Sequence, residues 1–279
     1  MKQSAPHSNG TLATASGPER SMGALPEQTI VFLGALLTWA LFVALKGPAG
    51  WQEMRSSGLA DSDAVMRLAQ IRDFLSGQSF YDLTQHRMNA PFGLEMHWSR
   101  LIDVPIAALI ILGNLLLGPG YGEPFAMTVW PMLIFLPALV SICFICREIG
   151  GMGAVLPALV FTIASPRILA FSPGQIDHHN VQIMLCLVLA ACVVASQRLP
   201  KASAAAGAVV ALTLSIGLES IAYALICVAW YPILWIIKGQ ERMPQMAYFG
   251  LGLFASTLVL AFGLHAPASG FSAACDVFS

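Results

Sequence analysis

The sequence predicts an all-α, polytopic membrane protein with about seven transmembrane helices and a long outer loop carrying surface-lying helices. Two observations predict it. The 279-residue chain is 57% apolar and only 10% charged, with a mean hydropathy of +0.71, whereas soluble domains carry about 25% charged residues. Its apolar residues also come in runs near the roughly 20 residues that a helix needs to cross a bilayer. The net charge of −1 gives no general attraction to nucleic acid, and that class of partner is set aside.

Residues 1–27 are rich in Ser, Gly, Pro, Thr and Ala and read as a disordered cytoplasmic tail. The apolar run that follows is too long for a signal-peptide core and has no clear small-residue cleavage site, so it reads as a retained first span over 28–46. The rest, 28–279, reads as one transmembrane domain. Its outer loop, 47–123, opens with a polar stretch, 47–103, that holds 12 of the 29 Asp, Glu, Lys and Arg residues. Within the loop, 62–76 reads as an amphipathic helix. Ala64, Leu68, Ile71 and Leu75 share its apolar face, Asp63, Arg67 and Gln70 point away, Asp61 is the N-cap and Gly77 the stop. Residues 104–117 are apolar but only about 14 long, and that length suits an interfacial helix better than a span. Further spans read as 124–146, 152–171, 181–197, 203–218, 221–237 and 246–264. Of the six cysteines, all but Cys275 lie in apolar runs. Cys143 and Cys146 therefore read as a buried helical pair, not a metal or redox motif.

Basic residues set the orientation. Arg147, the pair Arg198 and Lys201, and the pair Lys238 and Arg242 lie in alternate short loops. Placing those loops in the cytoplasm puts the N-terminus there too. The opposite face then receives 47–103, 172–180 and the Gly217–Ser220 turn. That face is periplasmic if the chain sits in a bacterial inner membrane and lumenal in a eukaryote.

The residues with chemistry gather on this outer face. Asp61-Ser62-Asp63 sets two carboxylates at a helix entry, either as caps or as ligands for a hard divalent cation. Asp177-His178-His179-Asn180 follows a Pro/Gly turn and precedes an apolar span, where ionisable groups cost free energy and tend to be functional. Adjacent histidines point to different helix faces, so Asp177 pairs with only one of them as a ligand, or else it caps the helix and the histidines rest at the interface. Glu219 sits between two apolar runs with no basic residue within 17 positions. It either reaches water or meets a metal, a cationic group or a hydrogen-bond donor. Arg87 and Arg100 either form surface ion pairs with Asp82, Glu95 or Asp103, or clamp a phosphate.

A short tail, one span, a long outer loop opening on an Asp motif, two spans and a second outer acidic motif resemble the glycosyltransferase-C superfamily, most of all the catalytic subunit of oligosaccharyltransferases. Asp61 with Arg67 six residues on matches the first-loop motif. Gly174-Gln175-Ile176-Asp177-His178-His179 is similar to the second, with His179 standing where a second acid would be. The Arg147–Gly151 turn and the run ending Ala164-Ser165-Pro166 look like the inner turn and third span of the superfamily. The resemblance covers roughly 28–200.

The resemblance implies an enzyme that transfers a sugar from a polyprenyl-phosphate-linked donor, held by its lipid tail in the membrane. Asp61, Asp177 and His179 would hold Mg²⁺ or Mn²⁺, and Asp61 or Asp63 would serve as general base. Arg67, Arg87, Arg100, His178 and Glu219 would bind phosphate or substrate. The acceptor is not implied. The stop after Cys275-Asp276, with no further span, is the pattern expected of an N-terminal portion of a longer enzyme. Two other classes compete. A transporter or flippase would place polar groups at the bilayer midplane and show internal repeats. A non-catalytic assembly subunit would use the charged loop only as a docking surface.

Overall fold

In a computed structural model, residues 26–264 are described; residues 1–25 of the expected tail and the segment after residue 264, with Cys275, lie outside them, and Glu27, expected to end the tail, begins the first helix. The chain is an integral, all-α membrane protein. Its helices are α1 (Glu27–Ser56), α2 (Ser62–Leu75), α3 (Arg100–Leu117), α4 (Gly122–Gly150), α5 (Val155–Ala164), α6 (His179–Ser196), α7 (Ala202–Ile216), α8 (Ile221–Lys238) and α9 (Met243–Leu264). Among the described residues the strands are β1 (Thr84–Gln85) and β2 (Leu94–Glu95), a small antiparallel hairpin in the outer loop. In lipid every backbone polar group needs an internal partner, and a helix provides one. Side chains such as Leu37, Leu45, Ile226, Val259 and Phe262 are more than two-thirds exposed, as expected where the solvent is hydrocarbon.

α1 and α4 pack antiparallel. At one end Arg147 pairs with Glu27 at 2.8 Å. In the middle the Trp39 Nε1–H donates to the Met132 carbonyl at 2.7 Å, and the Phe42 and Phe135 rings lie 4.8 Å apart. At the other end the Trp51 and Tyr121 rings stack. The first helix thus runs ten residues past the expected stop at Lys46, through Pro48. Gly50 is what seats this extension, because a Cβ there would lie 2.1 Å from Pro173 Cγ.

By length and composition, five helical segments among the described residues can cross a membrane: α1, α3, α4, α6 and the stretch 221–264. A 3-10 turn at Gly239–Arg242 divides that last stretch into α8 and α9. α5 and α7 are shorter, and the expected span 152–171 is α5 flanked by 3-10 turns. α3 has 18 residues, longer than expected, because Arg100 and Asp103 pair inside its first turn and carry the helix into the polar segment. Its two ends nevertheless meet the same end of the bundle. The Ser99 hydroxyl donates to the Ser215 carbonyl in the last turn of α7, and Asn114 Oδ1 accepts from the Gly122 amide where α4 begins.

α7 and α9 approach backbone to backbone. A Cβ on Gly207 would lie 2.3 Å from the Phe249 carbonyl oxygen, and one on Gly252 would lie 2.1 Å from that of Ala204. Small residues at a crossing are how helices gain contact where no hydrophobic force separates them from lipid.

Candidate functional site

The site lies at the end of the bundle where α2, the starts of α3 and α6, and the α7–α8 turn meet. Its centre is Asp103, buried between two buried guanidiniums. Arg67 donates from Nη1 to one carboxylate oxygen and Arg100 from Nη1 to the other, each at 3.0 Å. Such a group survives burial only because both charges are met. Arg100 also donates to the Gln70 and Asp82 carbonyls and to Gln78 Oε1, and its buried Nε has no partner. Arg67 lies 4.6 Å above the Trp98 ring, and its second nitrogen meets His178 Nδ1 at 3.5 Å.

His178 carries the network outward. With Nδ1 facing a guanidinium, the imidazole is assigned as the neutral tautomer with its proton on Nε2, which donates to Glu219 Oε1 at 2.8 Å. Burial, helped by the Arg67 charge, pushes the His178 pKa below its ordinary value against the opposing pull of Glu219. Burial pushes Glu219 the other way, up. The bonds it accepts from Gln182, its own backbone amide and His178 outweigh that and hold it down to about 2. Glu219 is 48% exposed, so it reaches water and a hydrogen-bonded partner at once.

The other expected residues stand around this network. Asp61 caps α2, accepting from the Ala64 amide at 3.0 Å. Asp63 follows in the first turn, with a contact to the Ser62 hydroxyl. Asp177 is buried just before α6, whose N-cap position is His178, and accepts from the His179 amide at 2.9 Å; the His179 side chain is exposed. In the same turn Asn180 Oδ1 is buried without a partner. Arg87 lies apart from the network, in a bidentate surface pair with Asp73, and that guanidinium lowers the Asp73 pKa.

Arg67 and Gln70, expected on the polar face of α2, are buried. Leu75, expected on the apolar face, is 41% exposed. Residues 64, 67, 68 and 71 follow the i, i+3, i+4, i+7 spacing of a single stripe, which turns Arg67 inward with the apolar residues. An arginine on an apolar stripe was the signal for a buried counter-ion. Asp103, considered only as an ion-pair partner, is the hub, and its position three residues after Arg100 marked it. Gln182, one helical turn after His178, went unnoticed.

Among the described residues no three His, Cys, Asp or Glu side chains form a group that could hold a metal ion. Asp61 and Asp177 each spend one oxygen on a backbone amide at a helix start, and the other takes part in no further hydrogen bond or ion pair among those residues. Carboxylate oxygens of this kind are the donors that a hard cation takes.

No family model matches the chain, and no solved structure matches it significantly. It is 28% identical over 166 residues to a curated protein of Archaeoglobus fulgidus, dolichyl-phosphooligosaccharide-protein glycotransferase 1. The match takes in 57% of this chain and spans about a quarter, 26%, of that relative's length.

Proposed function

We propose that this chain is part of a membrane glycosyltransferase of the glycosyltransferase-C type, which moves a sugar from a polyprenyl-phosphate-linked donor to an acceptor at the non-cytoplasmic face. The observation that carries this reading is the convergence of Arg67, Arg100, Asp103, His178 and Glu219 from four separate segments at one end of a helix bundle. Asp61 caps α2, and Asp177 accepts from the first amide of α6, at the same end. The likeness to the archaeal enzyme suggests membrane glycosyl transfer, and its name supports a lipid-phosphate-linked donor.

In this reading the bond between the sugar and the phosphate breaks, and negative charge collects on the phosphate. Mg²⁺ or Mn²⁺, held by the spare oxygens of Asp61 and Asp177 and by donor oxygens, would offset that charge. Asp63, half-buried beside Asp61, takes the acceptor's proton. Arg67 and Arg100 are buried and act by position: with Asp103 ionised, the trio keeps one net positive charge behind the site and fixes His178. Glu219, ionised and half exposed, faces the acceptor side.

The test is Asp61→Asn and Asp177→Asn. Asparagine caps helices as well as aspartate does, and its side-chain oxygen can still accept from the His179 amide, so both variants keep their helix starts and lose only the charge. Each is expected to lower sugar transfer by about 10²-fold or more with membrane insertion unchanged. Undiminished transfer by both would remove this mechanism and the role it gives Asp61 and Asp177.

A further inference from the structure

On the flank of the bundle, away from the polar network, α4, α5 and α6 enclose a lateral groove of about 560 Å³. Its walls are apolar, with Ala138, Ile142, Ala158, Phe161 and Leu187 among them, and Phe161 is 76% exposed at its rim. One end is closed by Cys146 and Ala154, near the turn that joins α4 to α5. The other end, past the last turn of α5, holds Ser165 and Arg167. The Ser165 hydroxyl oxygen accepts from the Arg167 amide, which fixes the start of the 3-10 segment on which Arg167 stands. The Arg167 guanidinium is exposed and makes no ion pair among the described residues.

An apolar slot with a single unpaired cation at one end is complementary to an amphiphile with a hydrocarbon chain and an anionic head. A guanidinium matches phosphate oxygens in a fork, and a cation facing lipid is costly without a partner. We propose that this groove holds one anionic phospholipid of the surrounding membrane, with an acyl chain along Ala138, Ala158 and Leu187 and the phosphate on Arg167. The site is separate from the proposed catalytic network and goes beyond that reading. The lipid would fill the gap that α5, a helix too short to span alone, leaves against α4.

The test uses the full chain in nanodiscs that contain phosphatidylglycerol and phosphatidylcholine in equal amounts. Lipid that remains after mild detergent extraction is identified by mass spectrometry of the intact protein. Wild type is expected to retain one phosphatidylglycerol with a preference of about tenfold, the scale of one hydrogen bond to a charged group. Arg167→Gln is expected to lose the preference. Ala158→Phe, which fills the slot, is expected to lose retention of both lipids; Ala138→Leu replaces it if it fails to fold. Unchanged selectivity in Arg167→Gln, or unchanged retention in the filled-groove variant, overturns the proposal. So does stoichiometric displacement of phosphatidylglycerol by added polyprenyl phosphate, which would assign the groove to a sugar donor. No arm of the experiment reads glycosyl transfer, so either reading can fail without the other.

Discussion

Asp103 reaches no solvent and separates two guanidiniums that would otherwise repel each other in a low dielectric. Asp103→Ala leaves both uncompensated, and removing one partner of a buried pair costs about 3–5 kcal/mol. A large fall in the unfolding midpoint in detergent checks this, and a midpoint near wild type would show that water reaches the trio. His178 supplies the pH response. Its pKa in the fold lies below the ordinary value of 6.5, so below that pH the unfolded chain takes up the proton more readily than the folded one. Stability is therefore lost as pH falls from about 6.5 through the folded value, and His178→Gln is expected to flatten this part of the profile. Glu219, held at about 2, stays ionised throughout that range. The sequence made single residues legible where one rule sufficed: Asp61 as a cap, Glu219 as a carboxylate in need of a partner. It hid the network because pairs such as Arg67 with His178, or Asp103 with Arg67, join positions far apart in the chain, and no spacing rule reaches across segments.

At the scale of elements, helix contact depends on missing side chains as much as on present ones. Gly207 and Gly252 let α7 and α9 touch at the backbone. Alanine at either position meets a carbonyl oxygen that cannot rotate away, so Gly252→Ala is expected to destabilise by about 1–3 kcal/mol, the usual cost of overpacking. A thermal scan of detergent-solubilised protein measures it, and an unchanged midpoint would mean the two helices can separate freely. Runs of apolar residues announced nearly every helix, since composition alone decides what can face lipid. Boundaries were less legible. Lys46-Gly47-Pro48 looked like a stop, but a proline is tolerated when neighbours seat the helix, and Pro173 against Gly50 does that. α3 looked too short because its polar first turn concealed the Arg100–Asp103 pair.

Across the whole molecule, ionic contacts divide between two ends. Glu27, Arg147, Glu148 and Arg198 link α1, α4 and the α6–α7 connection at one end; the proposed catalytic network occupies the other. Cysteines introduced at Gly77 and Gln240 are therefore expected to react with an impermeant thiol reagent from opposite sides of a sealed membrane, and labelling from one side would refute the topology. α1 contributes no side chain to that network, yet its glycine at position 50 acts as a doorstop for the segment that leads into Asp177 and His178. A methyl group added there would push that segment aside, so a genetic screen for lost activity should return lesions in a helix that never touches substrate.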